Sequence, residues 1–356
     1  MALLTQRDPL VVGTALAGWI AERTGAHDVR VINAEHPSTG WSSETVIVEL
    51  TWSGGDHEHE HEHEHDAQTH EFVVRLAPPT AGTFRDYDLA QQTVAQLAAA
   101  AAGVAIAAPE LVADPRWLGT QFLVMPRVHG HLIGEVAVFD PWLVSLTEGE
   151  RAQVHETFVA AVAATHRADL AVAAGVPERD NEAELDFWAD YLDWSSGGFP
   201  VPALVDALEW CRAHRPAVES EPVLLWGDVR LGNVIFGDDL APRAVLDWDM
   251  ASIGAPEHDV AWFTTLESTT RSLLGRHLAG FPDRDGTIAQ FEALSGRTLH
   301  DFGWYEILAL VRSTAIMTRI GYLHRDAGLP SPLPIDDNPL LTLLAARVAS
   351  ANGKAR

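Results

Sequence analysis

Asp228 and Asn233 stand five positions apart in Trp226-Gly227-Asp228-Val229-Arg230-Leu231-Gly232-Asn233, and Asp247 follows in Val245-Leu246-Asp247-Trp248-Asp249. These residue types meet the needs of phosphoryl transfer. One carboxylate must orient an attacking hydroxyl and take its proton, while a neutral amide oxygen and a second carboxylate hold Mg2+ against a triphosphate. Both metal ligands are hard oxygens, as Mg2+ prefers. An Asp-x4-Asn pair alone arises by chance about once in several hundred residues. Isolated copies of such residues form turns and helix caps. Here the context adds weight, because an apolar run enters the motif, a glycine follows Trp226, and apolar segments carry Asn233 and Asp247.

The elements that must position these residues follow from changes in periodicity. Alternation predicts strands at Val29 to Ile32, Thr45 to Leu50 and Glu71 to Leu76, with a further strand at Gln121 to Met125. A helix is expected from Asp86 to Ala101. Beyond Gly130 helical patterns dominate, as at Glu148 to Ala168, Asp180 to Trp194 and Tyr305 to Asp326. They are interrupted by short strands near Val223 to Leu225, Asn233 to Phe236 and Ala244 to Leu246, which read as an embedded hairpin. The opening stretch around Leu10 to Arg23 reads as an amphipathic helix and not a signal peptide, since no continuous apolar core follows a basic start.

Bulk properties exclude several classes. At 356 residues the chain suits two lobes, and an apolar content of 47% is that of an ordered globular protein. Fifty acidic against 24 basic residues give a formal charge of −26. That argues against nucleic acid, which needs a basic stripe, and against an anionic membrane. It suits a cationic small molecule, though net charge often reflects solubility alone. One cysteine, Cys211, excludes an internal disulfide framework and fits a reducing cytoplasm. The Ala-rich run from Val94 to Ala108 is too short to span a bilayer.

The strictly alternating run from His57 to Asp66 sits between two expected strands and reads as an extended hairpin loop within residues 54–70. If extended, it would put its imidazoles on one face, where they could hold Zn2+ or Ni2+. The plainer reading is a solvated loop with adventitious metal affinity.

The segment from Val223 to Phe263 resembles the aminoglycoside phosphotransferase family, relatives of choline kinases and the eukaryotic protein kinases. The shared features are Gly227-Asp228-x4-Asn233, Asp247-Trp248-Asp249 and Gly254-Ala255-Pro256-Glu257-His258-Asp259. The resemblance implies an α+β, protein-kinase-like fold of two lobes. Residues 1–127 would form a β-rich nucleotide lobe, and residues 128–356 a mainly helical lobe for catalysis and acceptor binding. It implies Asp228 as catalytic base, with Asn233 and Asp247 as Mg2+ ligands and ATP as donor. The acceptor would be a hydroxyl on a small molecule. Arg230 would face the transferred phosphate, and Asp259 would cap a helix starting at Val260 and steady the catalytic loop.

In the amino-terminal half, Pro37 to Thr45 joins two strands as the family's phosphate-covering loop does. Its single glycine, Gly40, makes it no Gly-rich cradle, so Ser38, Thr39, Ser42 and Ser43 would add hydroxyl donors to its N–H groups. Met125, Pro126 and Val128 resemble the hinge. The Pro126 carbonyl and the Val128 amide would meet adenine, and a proline is tolerable where only a carbonyl is required. Three departures stand out. Trp226 replaces the family's histidine, Arg75 stands where kinases place lysine, and Gln92 replaces the helix glutamate that pairs with it, with Asp88 as a competitor. These departures keep a second function open, a nucleotide-binding regulatory pseudokinase. A third, a metal-handling protein, draws on the His/Glu run. The acidic and aromatic stretch from Glu178 to Trp194 could grip a cationic acceptor by charge and cation–π contact, or be an amphipathic helix with its aromatics buried.

Overall fold

The first helix is set by its ends. Asp8 Oδ1 accepts a hydrogen bond from Leu10 N at 2.9 Å, Pro9 occupies the first turn, and Gly25 closes α1 (Pro9–Thr24) at φ 68°. In this computed structural model the described residues are 6–37, 43–53, 69–197, 201–335 and 338–354. Ser38, Thr39, Gly40 and Ser42 lie outside them, as does the His57 to Asp66 run.

The strands β1 (His27–Glu35), β2 (Glu44–Ser53), β3 (Thr69–Leu76), β4 (Glu110–Val112) and β5 (Phe122–Pro126) form one antiparallel sheet in the order β1-β2-β3-β5-β4. Three of them contain the strands expected from alternation, β5 starts one residue after the expected Gln121, and β4 is too short to show any. Alternate residues Val46, Val48 and Leu50 of β2 share one buried core with Val74, Leu76, Phe122 and Val124, and with Val12, Leu16 and Ile20 of α1. The next helix, α2 (Leu89–Ala101), begins three residues later than its periodicity suggests. The reason is Asp88, whose Oδ1 accepts from Gln91 N at 2.9 Å and so stops the helix from extending backward.

The chain divides into two compact units, Met1–Thr93 with Ala107–Val128, and Val94–Ile106 with His129–Arg356. In the second unit, β6 (His131–Leu132), β8 (Val234–Phe236) and β9 (Pro242–Val245) form a small sheet in the order β6-β8-β9. The embedded hairpin is therefore β8–β9. The strand β7 (Val223–Leu225) pairs elsewhere, antiparallel with β10 (Ser252–Gly254). Around these strands lie α3 (Pro141–Ser145), α4 (Glu148–Thr165), α5 (Asn181–Ser195), α6 (Pro202–Ala213), α7 (Glu257–Leu274), α8 (Arg284–Ser295), α9 (Phe302–Asp326) and α10 (Pro339–Lys354). A capping box starts α4: Thr147 Oγ1 accepts from Glu150 N at 3.3 Å, and Glu150 Oε2 accepts from Thr147 N at 2.7 Å. It ends before the expected Ala168, with His166 as its C-cap. Among the described residues no helix is long and apolar enough to cross a membrane.

Packing of α4 on α8 buries His155, whose Nδ1 lies 2.8 Å from Gln290 Oε1. Burial pulls this imidazole from its ordinary 6.5 down to about 4, with the Gln290 hydrogen bond opposing only in part. The unfolded chain therefore takes up a proton below pH 6.5, while the folded chain resists until about 4. Stability is present above this window and lost as pH falls through it. Lowering the pH from 7 to 5 costs about 2 kcal/mol at this residue alone. Urea unfolding of wild type and His155→Gln at both pH values reads the increment, which the variant lacks.

Candidate active site

Where β7 ends, the chain turns through Trp226 and Gly227, the latter at φ 89°. A Cβ at position 227 would lie 2.2 Å from Met250 O, so the close approach as well as the dihedral requires glycine. Both N–H groups at the turn are taken by one carboxylate. Trp226 N donates to Asp259 Oδ2 and Gly227 N donates to Asp259 Oδ1, each at 2.9 Å. His166 Nε2 donates to Asp259 Oδ2, also at 2.9 Å, and Asp259 is only 1% exposed. The expectation that Asp259 caps a helix starting at Val260 is corrected. That helix, α7, starts at Glu257, so Asp259 lies inside its first turn with its carboxylate spent on the loop.

The clamped loop presents Asp228. Its Oδ1 accepts from Trp262 Nε1 at 2.9 Å, and its Oδ2 accepts from Asn233 Nδ2 at 2.7 Å and from Arg230 Nε at 3.2 Å. Burial pushes this carboxyl above its ordinary value; the Arg230 charge opposes the push and the neighbouring Asp247 charge adds to it. Arg230 also donates from Nη1 to Glu135 at 2.7 Å. Burial would ease off its proton, but Asp228, Glu135 and Asp247 together keep the guanidinium charged.

Asp247 sits just beyond β9 at φ 59°, a left-handed backbone unusual for a residue with a side chain. Trp226 holds this bend. Its indole Nε1 donates to Leu246 O at 2.8 Å and Asp247 O at 3.2 Å, tying the segment that bears Asp247 to the loop that bears Asp228. The tryptophan in place of a histidine thus acts as a donor, the one role its N–H allows. The donor set fits Mg2+. Asn233 commits its amide nitrogen to Asp228, at both O and Oδ2, which leaves its Oδ1 as the atom to meet a metal. A divalent cation would also relieve the repulsion between Asp228 and Asp247. Among the described residues no group of three or more His, Cys, Asp or Glu is arranged to hold a metal ion.

In the first unit, Arg75 lies on β3 opposite Thr45 and Leu123, and its Nε donates to Ser43 Oγ at 2.7 Å. Gln92 is buried on α2, while Asp88, the expected competitor, is occupied as the cap of that helix. Met125 is buried in β5 and Pro126 is exposed at its end. The amide of Val128, expected to face adenine, makes no hydrogen bond to the described residues, whereas Arg127 N donates to Glu71 O at 2.9 Å.

The acidic and aromatic stretch is α5, and its rings already carry the protein's own cations. Arg179 lies 4.4 Å from the Phe187 ring centroid, Arg319 lies 4.6 Å from Trp194, and Arg312 lies 5.3 Å from Trp188. Glu184 binds Arg179 Nε at 2.7 Å and Trp188 Nε1 at 2.8 Å. Burial alone would raise this carboxyl, but Arg179 and Arg312 together hold it well below the ordinary range. Trp188 and Trp194 of α5 thus meet α9 through Arg312 and Arg319, while Phe187 stays exposed beside Arg179. Sequence reasoning missed Trp262, Glu135 and Arg312. One available signal was a tryptophan three residues after Asp259, on the same helix. Another was a single arginine inside the apolar run from Leu308 to Ala315.

The model of a family described as the phosphotransferase enzyme family matches residues 37–294. Among curated proteins, the human acyl-CoA dehydrogenase family member 11 is 24% identical over 234 residues, which are 63% of this chain and 29% of that protein. The chain thus spans under a third of that relative's length. Among solved structures, a candidate aminoglycoside phosphotransferase from Ralstonia eutropha superposes with a TM-score of 0.67 at 18% identity, covering 95% of this chain and 98% of the other. The GDP and kanamycin complex of APH(2")-IIIa gives a TM-score of 0.55 at 16% identity, covering 94% and 98%. At these identities the likeness is one of fold: a β-sheet amino-terminal region followed by a helical remainder, as in these kinase-like phosphotransferases.

Because Asp259 alone satisfies two buried N–H groups and a histidine, replacing it with asparagine sets an NH2 group against at least one N–H. Breaking such a buried charged cluster costs about 3–5 kcal/mol. Chemical denaturation of Asp259→Asn checks this, with Glu135→Gln, on the exposed side of Arg230, expected to stay within about 0.5 kcal/mol of wild type.

Proposed function

The chain belongs to the phosphotransferase enzyme family, and on that premise we propose that it transfers the γ-phosphoryl group of Mg2+-ATP to a hydroxyl of a small molecule. The observation that carries this reading is the Asp228 carboxylate, held by Asn233, Trp262 and Arg230 on a loop clamped by Asp259. Both oxygens of Asp228 are aimed by donors, so the carboxylate is oriented before any acceptor arrives.

In the reaction, the acceptor oxygen forms a bond to the γ-phosphorus as the bond from that phosphorus to the β–γ bridging oxygen breaks. The hydroxyl proton passes to Asp228, whose burial and Asp247 neighbour make it a better base than an exposed carboxylate. Arg230 stands beside Asp228, where it can turn to the transferred phosphate. Asn233 Oδ1 and the Asp247 carboxylate would hold Mg2+, which when bound neutralises the triphosphate charge. Arg75, tied to Ser43, supplies a fixed guanidinium for phosphate oxygens, and the Val128 amide and Pro126 carbonyl are the adenine contacts. Ser38, Thr39, Gly40 and Ser42 complete the phosphate-covering loop in this reading.

Two acceptor classes come first. The curated relative's name points to acyl-CoA chemistry, hence to a hydroxyacyl thioester. The kanamycin complex points to aminoglycosides, but the rings of α5 offer a cationic acceptor little, since Arg179, Arg312 and Arg319 already cover them. The GDP in that complex makes GTP the alternative donor. The buried amide Gln92, where a carboxylate would be expected, favours one second reading: a nucleotide-binding regulator without turnover.

ADP or GDP release is expected to depend on an acceptor from a panel of hydroxyacyl-CoA, aminoglycosides and choline. Asp228→Asn should lower kcat on the order of 10²- to 10⁴-fold while sparing nucleotide binding. Turnover retained in that variant sinks the mechanism. Bound nucleotide with no acceptor-dependent release across the panel supports the regulator.

A further inference from the structure

Arg312 lies in the middle of α9, 3% exposed, and it is poorly matched by hydrogen bonds. Its Nε is buried with no hydrogen-bond partner among the described residues, with Glu184 Oε1 3.7 Å away. Among the described residues its Nη2 donates to Gly227 O alone, at 3.4 Å. The close hydrogen bond to Glu184 is made by Arg179, whose Nε binds that carboxylate at 2.7 Å. Removing one partner of a buried ion pair leaves the other charge less compensated, so any uncharged residue at 312 costs some stability through Glu184. The close partners of Arg312 are instead aromatic. The guanidinium carbon lies 4.9 Å from the ring centroid of Trp262 and 5.3 Å from that of Trp188.

Trp262 is the residue whose indole N–H holds Asp228 Oδ1 at 2.9 Å. A cation over the face of an indole draws electron density from the ring and polarises its N–H, which strengthens the bond that N–H donates to a carboxylate. The same guanidinium touches the carbonyl of Gly227, the residue before Asp228 in the chain. The charged and titratable groups facing Arg312 are Arg179 and Glu184 from the α5 segment, His258 and Asp259 from α7, and Asp228 itself. We propose that Arg312 is a positioning residue, which acts through the Trp262 indole and the Gly227 carbonyl to fix the orientation of the Asp228 carboxylate. This rests on Asp228 being the base of the proposed phosphotransfer.

The variants Arg312→Lys, Arg312→Gln and Arg312→Met separate charge from hydrogen bonding and from bulk. Lysine keeps a cation over the rings, glutamine keeps only a donor, and methionine keeps only volume. Arg312→Lys should stay within about threefold of wild-type kcat. Arg312→Gln and Arg312→Met should lose on the order of 10- to 100-fold in kcat, with KM for the nucleotide changed by less than about twofold. Each variant's kcat is read where its urea titration shows it fully folded, which separates this loss from a loss of fold. The indole 1H–15N resonance of Trp262, assigned with Trp262→Phe, should shift upfield and exchange faster with solvent in the glutamine and methionine variants only.

Wild-type kcat in Arg312→Gln together with an unmoved Trp262 resonance overturns the inference. So does a loss in Arg312→Lys as large as that in Arg312→Met, because that pattern assigns Arg312 a shape-specific packing role. Wild-type protein silent across the acceptor panel sinks the phosphotransferase reading instead, and the Trp262 resonance then still decides whether Arg312 holds the Trp262–Asp228 contact.

Discussion

Everything at the site hangs on the Asp259 carboxylate and the two backbone N–H groups it receives. Those of Trp226 and Gly227 are buried at a turn that leaves the strand pairing of β7, so no ladder can satisfy them. Left unpaired, each would carry a desolvation penalty of about 1–3 kcal/mol. One ionised side chain from the first turn of α7 takes both, and the third donor, His166, keeps the carboxylate from rotating away. The turn, the φ of Gly227 and the direction of Asp228 follow from that junction.

Aromatic residues extend the same logic outward. Trp226 donates to the carbonyls of Leu246 and Asp247, while Trp262 donates to Asp228, so one indole fixes the bend at Asp247 and another fixes the Asp228 carboxylate. An indole N–H suits this work, since it has one donor, no acceptor and a large apolar body that excludes water. The structural consequence of losing the family's histidine is therefore a different donor reaching across to a neighbouring segment, and the geometry around Asp228 and Asn233 stays closed.

The second unit also shows how an acidic protein uses its few cations. With 24 basic residues against 50 acidic ones, each arginine drawn in against a ring is informative. Arg179, Arg312 and Arg319 all stack on rings of α5 or α7. A helix that looked fit to grip a ligand's charge grips the protein's own, and this favours the reading of α5 as an amphipathic packing element. Periodicity alone could not separate the two readings, because aromatic residues at helical spacing look the same whichever cation covers them.

The sequence by itself determined the kinase-like fold class and four of the five strands of the first sheet, and it singled out Asp228, Asn233 and Asp247 as candidates. These rest on local signals: alternation along β2 and β3, helical spacing in α4 and α9, and a motif whose members lie within 20 residues of one another. Only the tertiary structure decided which residues hold that cluster in place. Asp259 and Trp262 of α7 and Arg312 of α9 reach Trp226, Gly227 and Asp228 across as many as 85 positions, and His166 holds Asp259 across 93. The late start of α2 at Asp88, the pairing of β7 with β10 and the placement of Asp259 inside α7 belong to the same class. A hydrogen bond or a cation over a ring depends on where two distant side chains meet, and spacing along a chain carries that information only when both partners sit on one element.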